Sequence, residues 1–302
     1  MSPHVPERRQ PPPDAAAPLR WDGESAFQVL GYPFTLRWNW PEAAAYVDYV
    51  LGGFRRAAPP AGGGAGYDLV DHGPSDGWGR YSVFVDGERM LTSPRPGDAA
   101  AFLLWHVFHA TIAHTRELLM VHAGSVVSPA GHAVVLPAEA GSGKTTLTVA
   151  LVRAGFGFLS DEVAAIDPDT LLAHPYGRAI NLKKSSWRLF PDLPPPPWDT
   201  DWAAEFRFLR PTALRADAEA APAPVRLVVA PRYVPGARTE VTPMRRAEAV
   251  VELGQNLMNL QAYSAPVLPL LTEIVSRARC FRMVSGDLGD AVRAVSELAA
   301  AD

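Results

Sequence analysis

The segment 133–147, AVVLPAEAGSGKTTL, constrains the fold more than any other stretch of the chain. An apolar run with strand composition enters a glycine-rich loop, and a helix-forming run leaves it after Lys144. Glycines at 141 and 143 let backbone N–H groups turn inward, and the helix start adds its partial positive charge, which together make an anion nest. The spacing is that of the phosphate-binding pattern G-x-x-x-x-G-K-[ST], with Ala138 at the first glycine. Alanine is the smallest replacement, so a slightly altered start to the loop is expected, with binding retained. In this pattern Lys144 reaches the β- and γ-phosphates, and the Thr145 hydroxyl ligates Mg²⁺. The expected phosphate-binding set is Ala140, Gly141, Ser142, Gly143, Lys144, Thr145 and Thr146.

Composition sharpens the weight on Lys144. Of 28 basic residues only Lys144, Lys183 and Lys184 are lysines, so a lysine here is a candidate for a specific task. The length of 302 residues allows two domains, and 48% hydrophobic with 20% charged residues suits a globular chain with a sizeable core. A net charge of −4 argues against a nucleic-acid binder driven by bulk electrostatics. The single cysteine, Cys280, rules out an internal disulfide and a cysteine-rich zinc site, and reads as a small buried apolar residue on a strand. The apolar run 99–119 carries His106, His109, His114, Arg116 and Glu117, which a membrane-spanning helix tolerates poorly. A buried helix with satisfied histidines, no membrane partner and a cytoplasmic location are expected.

Residues 1–19 read as a disordered proline- and alanine-rich tail without signal-peptide character. Residues 20–117 read as a small α+β region: strands over 27–40, a helix over 42–54 opened by Pro41, a loop at 57–66, and a hairpin turned at Asp86-Gly87. Residues 118–302 form the second region. Strands at 121–127, 132–136, 156–159, 163–166 and 225–230 mix with helices at 145–154, 247–259 and 289–300, and Gly155 closes the first of these helices. That alternation indicates an α/β layer architecture. Proline clusters at 191–197 and 222–224 mark loops around 198–210.

Asp161-Glu162 stands seventeen residues after Lys144, at the end of an expected strand. One helix and one short strand return the acids to the loop. There one carboxylate can accept a proton from an attacking hydroxyl while its neighbour holds the metal.

These residues together resemble a known family. His122-Ala123-Gly124, the strand, Pro-Ala-Glu-Ala-Gly-Ser-Gly-Lys-Thr-Thr-Leu, Arg153-Ala154-Gly155 and Leu159-Ser160-Asp161-Glu162 resemble the catalytic domain of HPr kinase/phosphorylase. The likeness is greater to the HPr-kinase-related proteins found beside peptide-modifying enzymes. It is clear over 118–190 and weaker from Pro231-Arg232-Tyr233-Val234-Pro235-Gly236 onward. The resemblance implies a P-loop kinase fold of the HPr kinase/phosphoenolpyruvate carboxykinase type. It implies ATP and Mg²⁺ as cofactors, transfer to a serine or threonine hydroxyl on a peptide or small protein, and possible self-association. Asp161 then stands at the acid/base position, Glu162 at the second acidic position with Thr145 as metal ligands, and His122 near the transferred phosphate. Arg178 resembles a basic position that stabilises charge on the γ-phosphoryl group, the other reading being a surface arginine. The glycine- and arginine-containing loop of the bifunctional members has no equivalent, so kinase activity without phosphorolysis is expected.

Other candidates carry less. At most one of Lys183 and Lys184 can point into a site from an extended segment. Arg207, Arg210 and Arg215 are either a substrate loop or structural charges; Trp187, Trp198 and Trp202 read as packing, and Ser125 and Ser128 lack a nucleophile context. The alternatives to a peptide kinase are a small-molecule kinase on the same scaffold, and an ATP-gated binding module without transfer.

Overall fold

The computed structural model describes residues 19–58, 64–74, 79–139, 141–193 and 206–301. Residues 1–18 of the expected tail, 59–63 of the 57–66 loop, Ala140, Trp198 and Trp202 lie outside these residues.

The chain opens with a hairpin, β1 (Gly23–Val29) and β2 (Tyr32–Trp38), turned at Leu30 and Gly31, both with positive φ. Helix α1 (Pro41–Leu51) follows, with proline in its first turn, and a 3₁₀ turn at Gly52–Phe54 completes the segment expected as one helix. Strands β3 (Arg55–Arg56), β4 (Ala65–Asp71), β5 (Tyr81–Val85) and β6 (Glu88–Ser93) complete a six-stranded sheet in the order β3-β1-β2-β4-β5-β6. The β5–β6 turn is Asp86-Gly87, both left-handed, as the sequence indicated. Helix α2 (Pro96–His114) lays Leu103, Leu104, Val107, Phe108 and Ile112 against this sheet's core.

Helix α2 stops five residues before the end of its apolar run, because 115–118 turn the chain into β7 (Leu119–Val127). Asn259 holds that turn: its Nδ2 donates to Thr115 O (2.8 Å) and Leu118 O (2.9 Å), and its Oδ1 accepts from Met120 N (3.0 Å). Strand β8 (Ala133–Pro137), helix α3 (Lys144–Arg153), β9 (Gly157–Ser160) and β10 (Val163–Ile166) come next. They are followed by β11 (Leu172–His174), β12 (Ile180–Lys183), α4 (Lys184–Trp187), β13 (Phe206–Leu209), α5 (Pro211–Leu214) and β14 (Ala223–Tyr233). The chain ends with β15 (Glu240–Pro243), α6 (Arg246–Gln255), α7 (Val267–Arg277), β16 (Arg279–Ser285) and α8 (Leu288–Ala300).

The large sheet runs β11-β10-β7-β8-β14-β16-β15, with β9 also on β7 and β11 reaching round to β14. β14 pairs in parallel with both β8 and β16, and the helices lie on its two faces. One layer holds α6 and α7 over Leu119, Val121, Ala164 and Val228; the other holds α3 and α8 over Val126, Leu136 and Val229. The protein is therefore a mixed α/β structure. β8 runs straight through the glycine-rich loop into α3, which places the loop at the carboxyl end of a central strand, where open α/β sheets form their crevices. Met120, Val163, Tyr176, Ala179 and Phe208 join the hydrophobic core of the six-stranded sheet, so the two sheets share packing. Among the described residues no helix is long and apolar enough to cross a membrane.

Candidate functional site

The loop geometry follows from its glycines. Gly141 (φ +90°) and Gly143 (φ +94°) both occupy the left-handed region, where a Cβ is strained. Gly143 is the residue before α3 and accepts from Leu147 N (2.9 Å); no side chain caps this helix, so its first N–H groups face the loop. A second glycine sets how close the helix comes to the sheet. A Cβ on Gly124 of β7 would lie 2.4 Å from Thr148 Oγ1 of α3.

Lys144 is 6% exposed, and its ammonium points back under the loop. Nζ donates to Ala138 O (2.7 Å) and lies 3.1 Å from His122 Nε2. An ammonium only donates, so His122 accepts there and is neutral, with its proton on Nδ1. Burial lowers the pKa of both groups; for His122 the Lys144 charge adds to it, while for Lys144 Glu162 and Asp161 oppose it. The loop carbonyl at Ala138 thus holds the lysine ammonium.

The acids come back as the spacing predicted. β9 ends at Ser160, whose Oγ accepts from Glu162 N (3.1 Å) and Val163 N (3.0 Å) and so shapes the turn that carries Asp161 and Glu162. Asp161 is 1% exposed; Oδ2 accepts from Asn181 N (3.3 Å), and Oδ1 is buried with no hydrogen-bond partner. Burial pushes its carboxyl up to about 6, against the pull of Arg178, and the Glu162 charge adds to the rise. Glu162 is 31% exposed at its side chain and pairs with Arg178 through Oε2 (2.9 Å).

Arg178 is not a surface residue. It is buried, its Nε has no partner, and its guanidinium lies 5.7 Å from the Phe108 ring and 6.0 Å from the Tyr176 ring. Desolvation opposes its charge, but Asp161 and Glu162 hold its pKa up. Phe108 belongs to α2, so the six-stranded sheet's own helix backs this arginine. Nothing in the sequence around Phe108 separates it from the rest of an apolar helix.

Lys144, His122, Asp161, Glu162 and Arg178 are therefore one connected cluster at the loop's mouth. Thr145 and Thr146 lie on the first turn of α3, partly exposed, and Thr146 Oγ1 pairs with Ser186 Oγ (2.8 Å). Ala140 lies outside the described residues. Lys183, at the end of β12, is close enough to act on Lys144 electrostatically, and Lys184 starts α4; both are exposed. Arg210 ties to Asp48 and Tyr49, and Arg215 to Asp217 and Val152 O; the side chain of Arg207 lies outside the described residues. His109 and His114 donate to carbonyls of their own helix and are exposed, while His106 pairs with Tyr67. Cys280 is buried, and burial pushes its thiol up to about 11.

Among the described residues no cluster of three or more His, Cys, Asp or Glu side chains forms a ready-made metal cage. The chemistry of the donor set still suits Mg²⁺, which takes one or two protein oxygens and completes its shell with water and substrate phosphates. Thr145 and Glu162 supply a hydroxyl and a carboxylate at the loop, and Asp161 Oδ1 adds a buried oxygen with no partner.

The chain matches no protein-family model and no curated protein.

Proposed function

We propose that the protein is a phosphotransferase that uses a nucleoside triphosphate bound at 138–146. Within that class we read it as an ATP- and Mg²⁺-dependent kinase of the P-loop, HPr-kinase-like type, acting on a serine or threonine hydroxyl of a peptide or small protein. One observation carries the reading. A buried carboxylate with an unpartnered oxygen, Asp161, sits in a cluster with the loop lysine, an arginine, a histidine and a second acid. Binding alone needs the cradle but no base.

Each residue has a task in such a transfer. The N–H groups of Gly141, Gly143 and the first turn of α3 hold the phosphate oxygens, and Lys144 leaves Ala138 O to meet the β- and γ-phosphates. Thr145 and Glu162 would hold Mg²⁺, which neutralises phosphate charge when bound. Asp161, ionised, takes the proton from the attacking hydroxyl as the oxygen–phosphorus bond forms. The γ-phosphoryl group leaves the nucleoside diphosphate in line with that attack. Arg178 donates to the equatorial oxygens as charge spreads over them, and His122 does so with a proton on Nε2 once Lys144 has left that nitrogen. The peptide acceptor is supported by the family resemblance alone.

The experiment is transfer of radiolabelled γ-phosphate to candidate peptides, beside nucleotide affinity on the same preparations, for wild type and Asp161→Asn. Asparagine keeps the shape but accepts no proton. Transfer should fall roughly 10²–10⁴-fold with Mg·ATP affinity retained, the usual worth of a positioned base. Labelling of a small hydroxyl compound in place of any peptide would move the reading to a small-molecule kinase. Tight ATP binding without labelling of any acceptor would favour the binding module.

A further inference from the structure

Beside the glycine loop lies a cleft of about 460 Å³, a volume in the range of small-molecule sites, whose lining does not include Asp161. It begins at Gly141–Gly143, continues past Thr146 on the first turn of α3, and ends against the β16–α8 corner. Its inner wall is apolar, built from Leu147, Met283 and Leu288. Its rim carries Tyr233 and Leu189, which are 56% and 48% exposed and so present apolar surface to whatever enters the cleft. Tyr233 is tied to the loop itself: its N donates to Ser142 O (3.3 Å), and a Cβ on Gly143 would touch Tyr233 Cβ at 3.5 Å. A polyphosphate chain that has its terminal group at Lys144 and Asp161 and runs over the helix start is delivered into this cleft.

The cleft's polar side chains are largely occupied with one another. Thr146 pairs with Ser186; Ser285 donates to Asp287 O (2.7 Å) and lies 2.7 Å from Thr239 Oγ1; and the one carboxylate, Asp287, caps α8 by accepting from Asp290 N (2.8 Å). No amide side chain lines it among the described residues. What remains to meet a ligand is the Tyr233 ring, the apolar wall, the hydroxyls of Ser142 and Ser185, and the guanidinium groups of Arg188 and Arg232, neither of which is in an ion pair among the described residues. Such a surface grips an aromatic base by its face and sugar-phosphate by charge, and its free hydroxyls both donate and accept, so they meet the amino group of adenine and the carbonyl of guanine alike.

We propose that this cleft binds the nucleoside of the phosphoryl donor by stacking on Tyr233, and that it does not select adenine over guanine. This rests on the nucleotide-binding reading above. The test is calorimetric titration of wild type, Tyr233→Ala and Tyr233→Phe with Mg·ATP, Mg·GTP and inorganic tripolyphosphate. Tyr233 is exposed and its loop contact is through the backbone, so alanine leaves the fold intact. GTP should bind wild type within about tenfold of ATP, the discrimination expected where no hydrogen bond tells the two bases apart. Tyr233→Ala should weaken both nucleotides at least about fivefold, as loss of one base-stacking ring does, with phenylalanine restoring them and tripolyphosphate unaffected. Unchanged nucleotide affinity in Tyr233→Ala overturns the cleft, as does equal weakening of tripolyphosphate. A preference for ATP over GTP beyond about 10²-fold overturns the lack of base selection. If the wild type binds none of the three, the nucleotide reading itself fails, a result distinct from the others.

Discussion

The two sheets treat their polar groups in opposite ways. In the six-stranded sheet they are paired off. Tyr32, Tyr67 and His106 form a chain with each link 2.9 Å, His72, Ser82 and Thr92 form another, and Arg37–Asp68 and Arg80–Asp71 are bidentate pairs. Among the described residues of that region only Trp40 Nε1 is buried without a partner. Around the glycine loop of the larger sheet, Asp161 Oδ1, Arg178 Nε, Asn181 Oδ1, Ser142 Oγ and Thr148 Oγ1 are all buried and unpartnered. A buried polar group without a partner costs roughly 1–3 kcal/mol, so a fold keeps several together only where something else repays them. The first region pairs its polar groups internally; the second gathers unpaired ones at the glycine loop. Yet the first region reaches into the second through Phe108, which backs Arg178.

That contrast can be broken at four points. The largest effect belongs to Lys144→Ala, which removes the charge meant for the phosphates. It should weaken Mg·ATP binding and abolish turnover, read by calorimetry and radiolabel transfer; equal nucleotide affinities would take the loop out of the mechanism.

The second point is Phe108→Leu. Volume is nearly kept, so stability should drop by less than about 1.5 kcal/mol. Arg178 loses the ring that fixes it, and kcat should fall on the order of tenfold or more with nucleotide affinity unchanged. An unaltered kcat would make the six-stranded sheet a mere neighbour of the site.

The third is the pH dependence of stability in protein free of metal and nucleotide. Asp161 has its folded pKa raised to about 6, above its unfolded value. Its contribution to stability is therefore fully present below the unfolded pKa and is lost as pH rises through about 6. Denaturant unfolding of Asp161→Asn across that window should show this component missing.

The smallest effect is expected from Tyr67→Phe, which cuts the paired chain in the first sheet. It should cost about 0.5–1.5 kcal/mol, the worth of a hydrogen bond or two, and leave transfer untouched. A loss of transfer would show that the first sheet's polar groups also serve the site.

The elements around the loop were legible because their signals are local. Asp86-Gly87, the β8–loop–α3 run and the strand over 163–166 each depend on residues adjacent in sequence. Helix α2 ends early because the Asn259 clamp acts from far along the chain, whereas α7 begins directly after Pro266 on a signal as local as the others. The same divide runs through the site. Lys144 and the acid pair announce themselves by spacing, and Arg178 was left between two readings that only the fold can separate. Phe108 and the Tyr233 cleft gave no signal, since an apolar helix residue and a tyrosine after a strand look alike wherever they lead.

The contact between Gly124 and Thr148 has an evolutionary consequence. With a Cβ on residue 124 landing 2.4 Å from the Thr148 hydroxyl, β7 and α3 touch at a point with no room for a side chain at 124 while threonine stands at 148. His122 and Lys144 stand two residues and one turn away on the same two elements, so any change that pries the contact apart also separates the pair at the phosphate end. In a related chain, a side chain at 124 should arise only where 148 has already become smaller, and the two positions should vary together.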